Sequence, residues 1–60
     1  TIFEYLLFLR VQNSLAFLKE GESITKTAGL VGFSSPAYYG QIFKRYMKCT
    51  PKEYRDGNGR

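Results

Sequence analysis

The chain contains no histidine and no tryptophan, and Cys49 is its only cysteine. A disulfide within the chain is therefore excluded, because it requires two thiols. A zinc site is not expected either, since Zn²⁺ is usually held by sets of cysteine and histidine ligands. The sequence also offers no nucleophile paired with a base and no glycine-rich phosphate loop. We predict that the chain is not an enzyme and binds no metal or cofactor.

Long apolar runs are also missing from the sequence. The longest extends from Tyr5 to Leu9, whereas a membrane-spanning helix needs about 20 apolar residues. No signal peptide is visible, and one cysteine fits a reducing compartment. We therefore expect no membrane partner and a cytoplasmic location. The hydrophobic fraction of 43% is ordinary for a folded domain.

Charge is distributed unevenly along the sequence. Three basic and three acidic residues balance up to Phe43, whereas six basic residues stand against two acidic ones from Lys44 onward. All of the net charge of +4 therefore lies in the last segment. A one-sided basic field favours a polyanionic partner. The alternative is a solvated helix end that carries lysine and arginine near its C-terminus.

The first twenty residues predict one long helix. Thr1 and Glu4 have the spacing of a capping box, and helical periodicity continues to about Lys19. A strand is the competing interpretation for residues 2–9, but the capping box and the length favour a helix. Residues 2–11 are apolar on nearly every side, so we expect this helix to need cover on every side.

Three shorter helices are predicted downstream, at about 24–31, 36–47 and 51–54. Their predicted N-caps are Ser23, Ser35 and Thr50, and proline follows two of these at the first helical position. Gly32 is expected to turn the chain sharply between the second and third helices. Residues 56–60 are expected to be a frayed tail. The predicted core-facing residues of the last three helices and their connections are Ile24, Ala28, Val31, Phe33, Tyr39, Ile42, Phe43 and Tyr46.

This pattern predicts an all-α fold. Two short helices joined by a tight turn at Gly32 match a helix-turn-helix, with Ala28 allowing close approach and Phe33 filling the corner. We predict a small bundle of three to four helices, in which a long apolar helix over residues 1–20 precedes a helix-turn-helix over residues 21–60.

A family resemblance supports this assignment. It is carried by Ser23-Ile24, Ala28, Gly32-Phe33-Ser34-Ser35, Tyr38-Tyr39, Phe43-Lys44-Arg45, Thr50-Pro51 and Tyr54-Arg55, with Glu4-Tyr5, Arg10-Val11 and Phe17-Leu18 upstream. In order and spacing these residues resemble the AraC/XylS-type transcriptional regulators. The DNA-binding unit of that family has two helix-turn-helix subdomains joined by a linker helix, and this chain is similar to the linker with the second subdomain. The resemblance implies a first subdomain, an effector domain and a contact with RNA polymerase outside this chain.

Four positions depart from the family pattern: Ser14, Lys26, Thr27 and Lys48. Thr27 stands where isoleucine is usual, and we expect it to weaken the core. Lys48 stands where glycine is usual after the third helix, so we expect that helix to end differently.

The resemblance also assigns residues to DNA contact. It implies that Ala37, Gly40 and Gln41 face base edges, where glutamine pairs with adenine and an alanine methyl meets a thymine methyl. Phosphate contacts are assigned to Ser23, Ser35, Tyr38, Lys44 and Arg45. The competing interpretations are an ordinary exposed polar residue for Gln41, neutral drift for Gly40, a plain cap for Ser23, packing for Tyr38, and surface solubility for Lys44 and Arg45. Arg55 is expected to pair with an acidic group such as Glu22.

We predict sequence-specific binding of double-stranded DNA for bacterial transcription regulation, with residues 36–47 in the major groove. The alternative is a helical protein-interaction or dimerisation module that uses residues 2–11. The isolated chain is expected to self-associate through these residues, by dimerisation or exchange of the first helix, or to be found only with the missing subdomain beside it. A membrane-surface helix is disfavoured, because Arg10 is the only cation in that segment.

Overall fold

The computed structural model describes residues 1–57, which form four helices and no strand. Helix α1 spans Ile2–Lys19, α2 spans Ile24–Leu30, α3 spans Pro36–Met47 and α4 spans Pro51–Arg55. The predicted all-α class is confirmed, and helix boundaries agree within one residue. Residues 58–60 of the expected frayed tail lie outside the described residues.

Side-chain caps fix the start of every helix. The hydroxyl of Thr1 accepts from the backbone N–H of Glu4 at 3.1 Å, and the Glu4 carboxylate accepts from the Thr1 backbone nitrogen at 3.0 Å. Thr50 and Glu53 form the same reciprocal pair at 3.1 and 2.9 Å. Both predicted capping boxes are therefore present, and each satisfies backbone donors that a helix start leaves unpaired.

One face of α1 covers the other three helices. Its buried positions recur at helical spacing and are Leu7, Val11, Ser14 and Leu18. Against them packs an aromatic series in which Phe33 lies 5.1 Å from Tyr39, Tyr39 lies 5.6 Å from Phe43, and Phe43 lies 5.9 Å from Tyr54, between ring centroids. Such tilted and edge-on pairs add to the apolar burial of the rings. The predicted core residues Phe33, Tyr39 and Phe43 are confirmed as buried.

The core contains two polar features. The Tyr39 hydroxyl donates to the Ser14 hydroxyl at 2.8 Å, and Ser14 donates to the carbonyl of Val11 at 2.6 Å. Thr27 is fully buried, and its hydroxyl has no hydrogen-bond partner among residues 1–57. An unpaired buried hydroxyl is unfavourable by about 1–3 kcal/mol. The expectation that Thr27 weakens the core is consistent with this unpaired group.

Gly32 makes the corner between α2 and α3. Its φ is +99°, a conformation that favours glycine, and the N–H of Phe33 donates to the carbonyl of Ala28 at 2.9 Å. The half-buried Arg10 of α1 lies beside this corner. Its Nε would be 3.2 Å from a β-carbon added at Gly32. The turn that the helix-turn-helix requires is thus formed at Gly32, and the Arg10 side chain of α1 lies beside it.

The end of α3 differs from expectation. Lys48 adopts the left-handed conformation, with φ 67° and ψ 16°, and its N–H donates to the carbonyl of Lys44 at 2.9 Å. The prediction that a lysine here would change the helix end is wrong, since Lys48 takes the conformation that glycine would supply. Relative to glycine, this conformation is unfavourable by about 1 kcal/mol for a residue with a β-carbon.

The N-terminal half of α1 projects an uncovered apolar surface. Its largest exposed side chains are Ile2 at 89%, Tyr5 at 62% and Phe3 at 60% exposure. Phe8 is partly covered by an edge-on contact with Tyr46 at 5.5 Å. The expectation that this helix cannot bury all of its apolar residues within the chain is therefore confirmed. We call Ile2, Phe3, Tyr5, Leu6 and Leu9 the α1 apolar surface.

Candidate nucleic-acid interface

Helix α3 has one buried and one exposed face. Tyr39, Ile42 and Phe43 are buried, and they anchor the helix against α1, α2 and α4. The exposed side carries Ala37, Gln41 and Lys44, spaced four and three residues apart. Residues at this spacing lie on one side of a helix. The predicted base-contacting residues Ala37 and Gln41 therefore lie on the same exposed side of α3 as the predicted phosphate contact Lys44.

Gly40 lies beside this exposed stripe in the middle of α3. A β-carbon added there would meet no atom within 4 Å among the described residues. Packing inside the chain therefore gives no reason for a glycine, although glycine destabilises a helix interior by about 1 kcal/mol relative to alanine. Any structural requirement for Gly40 has to come from something that approaches α3 from outside.

Lys44 and Arg45 are both exposed, and neither forms an ion pair with residues 1–57. Their surroundings differ, however. The pKa of Glu4 is lowered mainly by its hydrogen bond to the Thr1 amine and by the charge of that amine, with smaller help from Arg45. Arg45 therefore lies towards the start of α1, whereas Lys44 continues the stripe of Ala37 and Gln41.

The other predicted phosphate contacts have structural roles of their own. Ser23 and Ser35 accept hydrogen bonds at 3.1 Å from the backbone N–H groups of Lys26 and Tyr38, so both act as N-caps. Tyr38 is half-buried, and its ring meets Phe33 edge-on at 5.7 Å. Its hydroxyl forms no hydrogen bond within residues 1–57. The serine hydroxyl protons and the Tyr38 hydroxyl are thus available to an external acceptor.

Two features of this region escaped sequence analysis. The contact of Arg10 with the Gly32 corner was missed, because no local pattern relates α1 to a turn so far along the chain. Arg55 does pair with an acidic group, as expected, but its partner is Asp56 at 3.3 Å rather than Glu22, which lies 3.7 Å from Lys26. Both side chains pair with residues close to them in sequence, one and four positions away, rather than with each other.

Residues 1–57 contain no group of three or more histidine, cysteine, aspartate or glutamate side chains placed to hold a metal ion. None of the four helices combines the length and apolarity needed to cross a membrane.

Comparison with known proteins identifies the class. A helix-turn-helix domain family matches residues 1–57, which is nearly the whole chain. The chain is 36% identical over 56 residues to the HTH-type transcriptional activator RhaR of Mannheimia succiniciproducens, covering 92% of this chain and 20% of that protein. It is 33% identical over 55 residues to the transcriptional activator PerA of Escherichia coli O127:H6, covering 90% of this chain and 20% of that protein. No solved structure matches it significantly.

The chain thus belongs to the AraC-type helix-turn-helix family, a class of DNA-binding domain in transcription regulators, and the family resemblance is confirmed. It spans about a fifth of the length of the two relatives.

Proposed function

We propose that this chain binds DNA sequence-specifically in bacterial transcription regulation, with α3 lying in the major groove. The observation that carries the proposal is the exposed stripe of Ala37, Gln41 and Lys44 on a helix whose opposite face is anchored in the core. A helix fits the major groove of B-DNA, where each base pair presents a distinct pattern of donors and acceptors.

Base recognition is assigned to the first half of α3. The carboxamide of Gln41 both donates and accepts, which matches the N6 and N7 edge of adenine. The methyl group of Ala37 suits contact with a thymine methyl. Gly40 lacks a side chain at a position with open space around it, so it allows the helix backbone to approach the base pairs closely. These three roles explain why the stripe carries no charge before Lys44.

Phosphate contacts hold the module in register. Lys44 and Arg45 provide cations that form no ion pair with residues 1–57, and charge contacts fix position without distinguishing bases. The hydroxyls of Ser23, Ser35 and Tyr38 add hydrogen-bond donors near the starts of α2 and α3. Because Arg45 also faces Glu4, we expect its contribution to be smaller than that of Lys44.

The chain represents one part of a larger regulator in this proposal. The two relatives are named as transcriptional activators and are about five times as long. We infer that a first helix-turn-helix subdomain and an effector domain accompany this module, and that the complete protein contacts RNA polymerase and activates transcription. DNA binding places it in the bacterial cytoplasm, where the chromosome lies.

Salt dependence tests the proposal. Each phosphate contact makes the logarithm of affinity fall with the logarithm of salt concentration by about 0.9. Lys44→Ala should therefore weaken binding to every duplex and flatten this slope by about one unit, whereas the matched control Lys44→Arg should keep the slope. Binding that is indifferent to salt, or a slope unchanged in Lys44→Ala, would contradict the proposed interface.

A second candidate function has its own observation. The α1 apolar surface is exposed, with Ile2 at 89% and Phe3 at 60%, and contiguous apolar patches mark interaction sites. We propose that it packs against another helical surface, either the absent first subdomain or a second copy of the chain. This contact is compatible with DNA binding, because it uses α1 rather than the exposed face of α3.

A further inference from the structure

Lys48, at which α3 ends, has a backbone conformation that glycine normally supplies. Its φ is 67°, and within residues 1–57 every other positive φ belongs to a glycine. The β-carbon of a lysine makes this conformation unfavourable. Glycine at this position would relieve the strain, so the backbone conformation does not explain the lysine, and a reason has to come from its side chain.

The Lys48 side chain makes no polar contact within the described fold. It is exposed and forms neither a hydrogen bond nor an ion pair with residues 1–57. Lys44 lies one turn earlier, is equally exposed, and its carbonyl accepts the Lys48 N–H at 2.9 Å. The C-terminal end of α3 thus presents two neighbouring cations that face no anion from this part of the chain.

We propose that Lys48 is a further DNA-backbone contact, which clamps the rim of the major groove beyond Lys44. This inference rests on the proposed function of α3. With a rise of about 1.5 Å per residue, Lys48 lies about 10 Å along the helix from Gln41. The major groove is about 12 Å wide. The rim is therefore about 6 Å from the middle of the groove. If α3 crosses the groove with Gln41 at base edges near its middle, the end of α3 extends past the rim, where a lysine side chain can reach the flanking phosphates.

A purely structural role for the lysine makes different predictions. A cation at the end of a helix interacts favourably with the helix dipole, and this effect would appear in stability alone. Lys48→Gly separates the two roles, because loss of a phosphate contact lowers the salt dependence of DNA binding, whereas loss of a helix-dipole interaction changes stability alone. Lys48→Arg retains the charge with a comparable backbone requirement, so it serves as the matched control.

The test is fluorescence anisotropy of the chain and both variants with a mixed-sequence DNA duplex over a range of salt concentrations. Lys48→Gly should reduce the salt slope by about one unit, so that the affinity lost between about 50 and 200 mM salt shrinks by about threefold. Lys48→Arg should keep the slope of the unsubstituted chain. Circular dichroism should show that both variants remain helical.

The outcomes distinguish this inference from the proposal beneath it. If Lys48→Gly binds the duplex with unchanged affinity and slope, Lys48 is only a helix terminator. If Lys48→Arg loses as much slope as Lys48→Gly, charge is not what the DNA recognises, and the contact is likewise refuted. If the unsubstituted chain shows no salt-dependent binding, the proposed function fails and takes this inference with it.

Discussion

The hydroxyl of Tyr39 in α3 donates a hydrogen bond of 2.8 Å to the hydroxyl of Ser14 in α1. Both side chains are fully buried, and the Ser14 hydroxyl in turn donates a hydrogen bond of 2.6 Å to the carbonyl of Val11. This short chain of polar groups fixes the position of α3 relative to α1. Since the exposed face of α3 is the proposed DNA-binding surface, the bond also orients that surface.

Removing the acceptor Ser14 alone should destabilise the fold more than removing both Ser14 and the donor hydroxyl of Tyr39. Ser14→Ala leaves the Tyr39 hydroxyl buried without its partner, and we expect it to lower the free energy of unfolding by about 1–3 kcal/mol. Adding Tyr39→Phe removes the stranded hydroxyl, so the double variant should recover part of this loss. Urea denaturation of the four proteins in this cycle measures the coupling. Strictly additive effects would show that the hydrogen bond contributes nothing.

The same pair predicts a loss of stability in alkaline solution. Burial raises the pKa of Tyr39, and this effect outweighs the opposing hydrogen bond to Ser14. A phenol with a raised pKa in the folded state binds its proton more tightly there than in the unfolded chain. Its contribution is therefore intact below the ordinary tyrosine pKa and declines as pH rises towards the raised value. Tyr39→Phe should make the decline of the unfolding free energy with alkaline pH shallower, and an equally steep decline would refute this assignment.

Thr27 is a site where a small change should stabilise the fold. Its hydroxyl is buried without a partner among residues 1–57, and valine has nearly the same shape without that polar group. We expect Thr27→Val to raise the free energy of unfolding by about 1–2 kcal/mol. Thr25→Val, at an exposed position of the same helix, serves as the control and should change stability much less. Thermal or urea denaturation measures the stability of both variants. Equal changes in the two would contradict the role assigned to the unpaired Thr27 hydroxyl.

Alanine substitutions at Gly40 and Gly29 distinguish an effect on stability from an effect on DNA binding. Both are helical, and an added β-carbon would meet nothing within 4 Å at either position in residues 1–57. Alanine should therefore stabilise either helix by about 1 kcal/mol. Only Gly40→Ala should weaken DNA binding, because only Gly40 lies beside the proposed contact stripe of α3. Equal DNA affinities of the two variants would show that no close approach occurs at Gly40.

Self-association through the α1 apolar surface follows from the exposure of Ile2, Phe3 and Tyr5. At about 25 cal/mol per Å² of apolar area removed from water, covering a few such side chains is comparable with the whole stability of a small domain. Analytical ultracentrifugation at micromolar concentration should show a dimer or larger species. Phe3→Ser should shift the chain towards the monomer. A well-folded and strictly monomeric unsubstituted chain would contradict the expectation.

Local chemistry explains why much of this fold was predictable from sequence. The reciprocal caps at Thr1 and Thr50, the corner at Gly32 and the periodic face of α3 all depend on residues a few positions apart. Tertiary placement was less predictable. The contact between Arg10 and Gly32 could not be predicted from a local pattern, because the two residues are far apart in sequence. Arg55 pairs with its neighbour Asp56 rather than with Glu22, the partner suggested from sequence. At Lys48 the sequence suggested that α3 would end differently from its relatives, but the lysine adopts the strained left-handed conformation that glycine would supply.

The DNA-contact roles depended on a resemblance rather than on geometry. The structure places Ala37, Gln41 and Lys44 on one exposed stripe, but exposure does not distinguish base contact from phosphate contact. That distinction lies in the bound complex, where bases and phosphates meet different parts of α3.

The most direct test of base recognition by α3 is the affinity of Gln41→Ala and Lys44→Ala for a panel of duplexes differing at single base pairs. The panel is built on a site selected by the unsubstituted protein, and binding is measured at one fixed salt concentration. Gln41→Ala should lose about 1–3 kcal/mol of discrimination at one base pair and keep it elsewhere, whereas Lys44→Ala should weaken every duplex alike. If Gln41→Ala instead weakens all duplexes equally, α3 does not recognise bases through Gln41, and the central claim is contradicted.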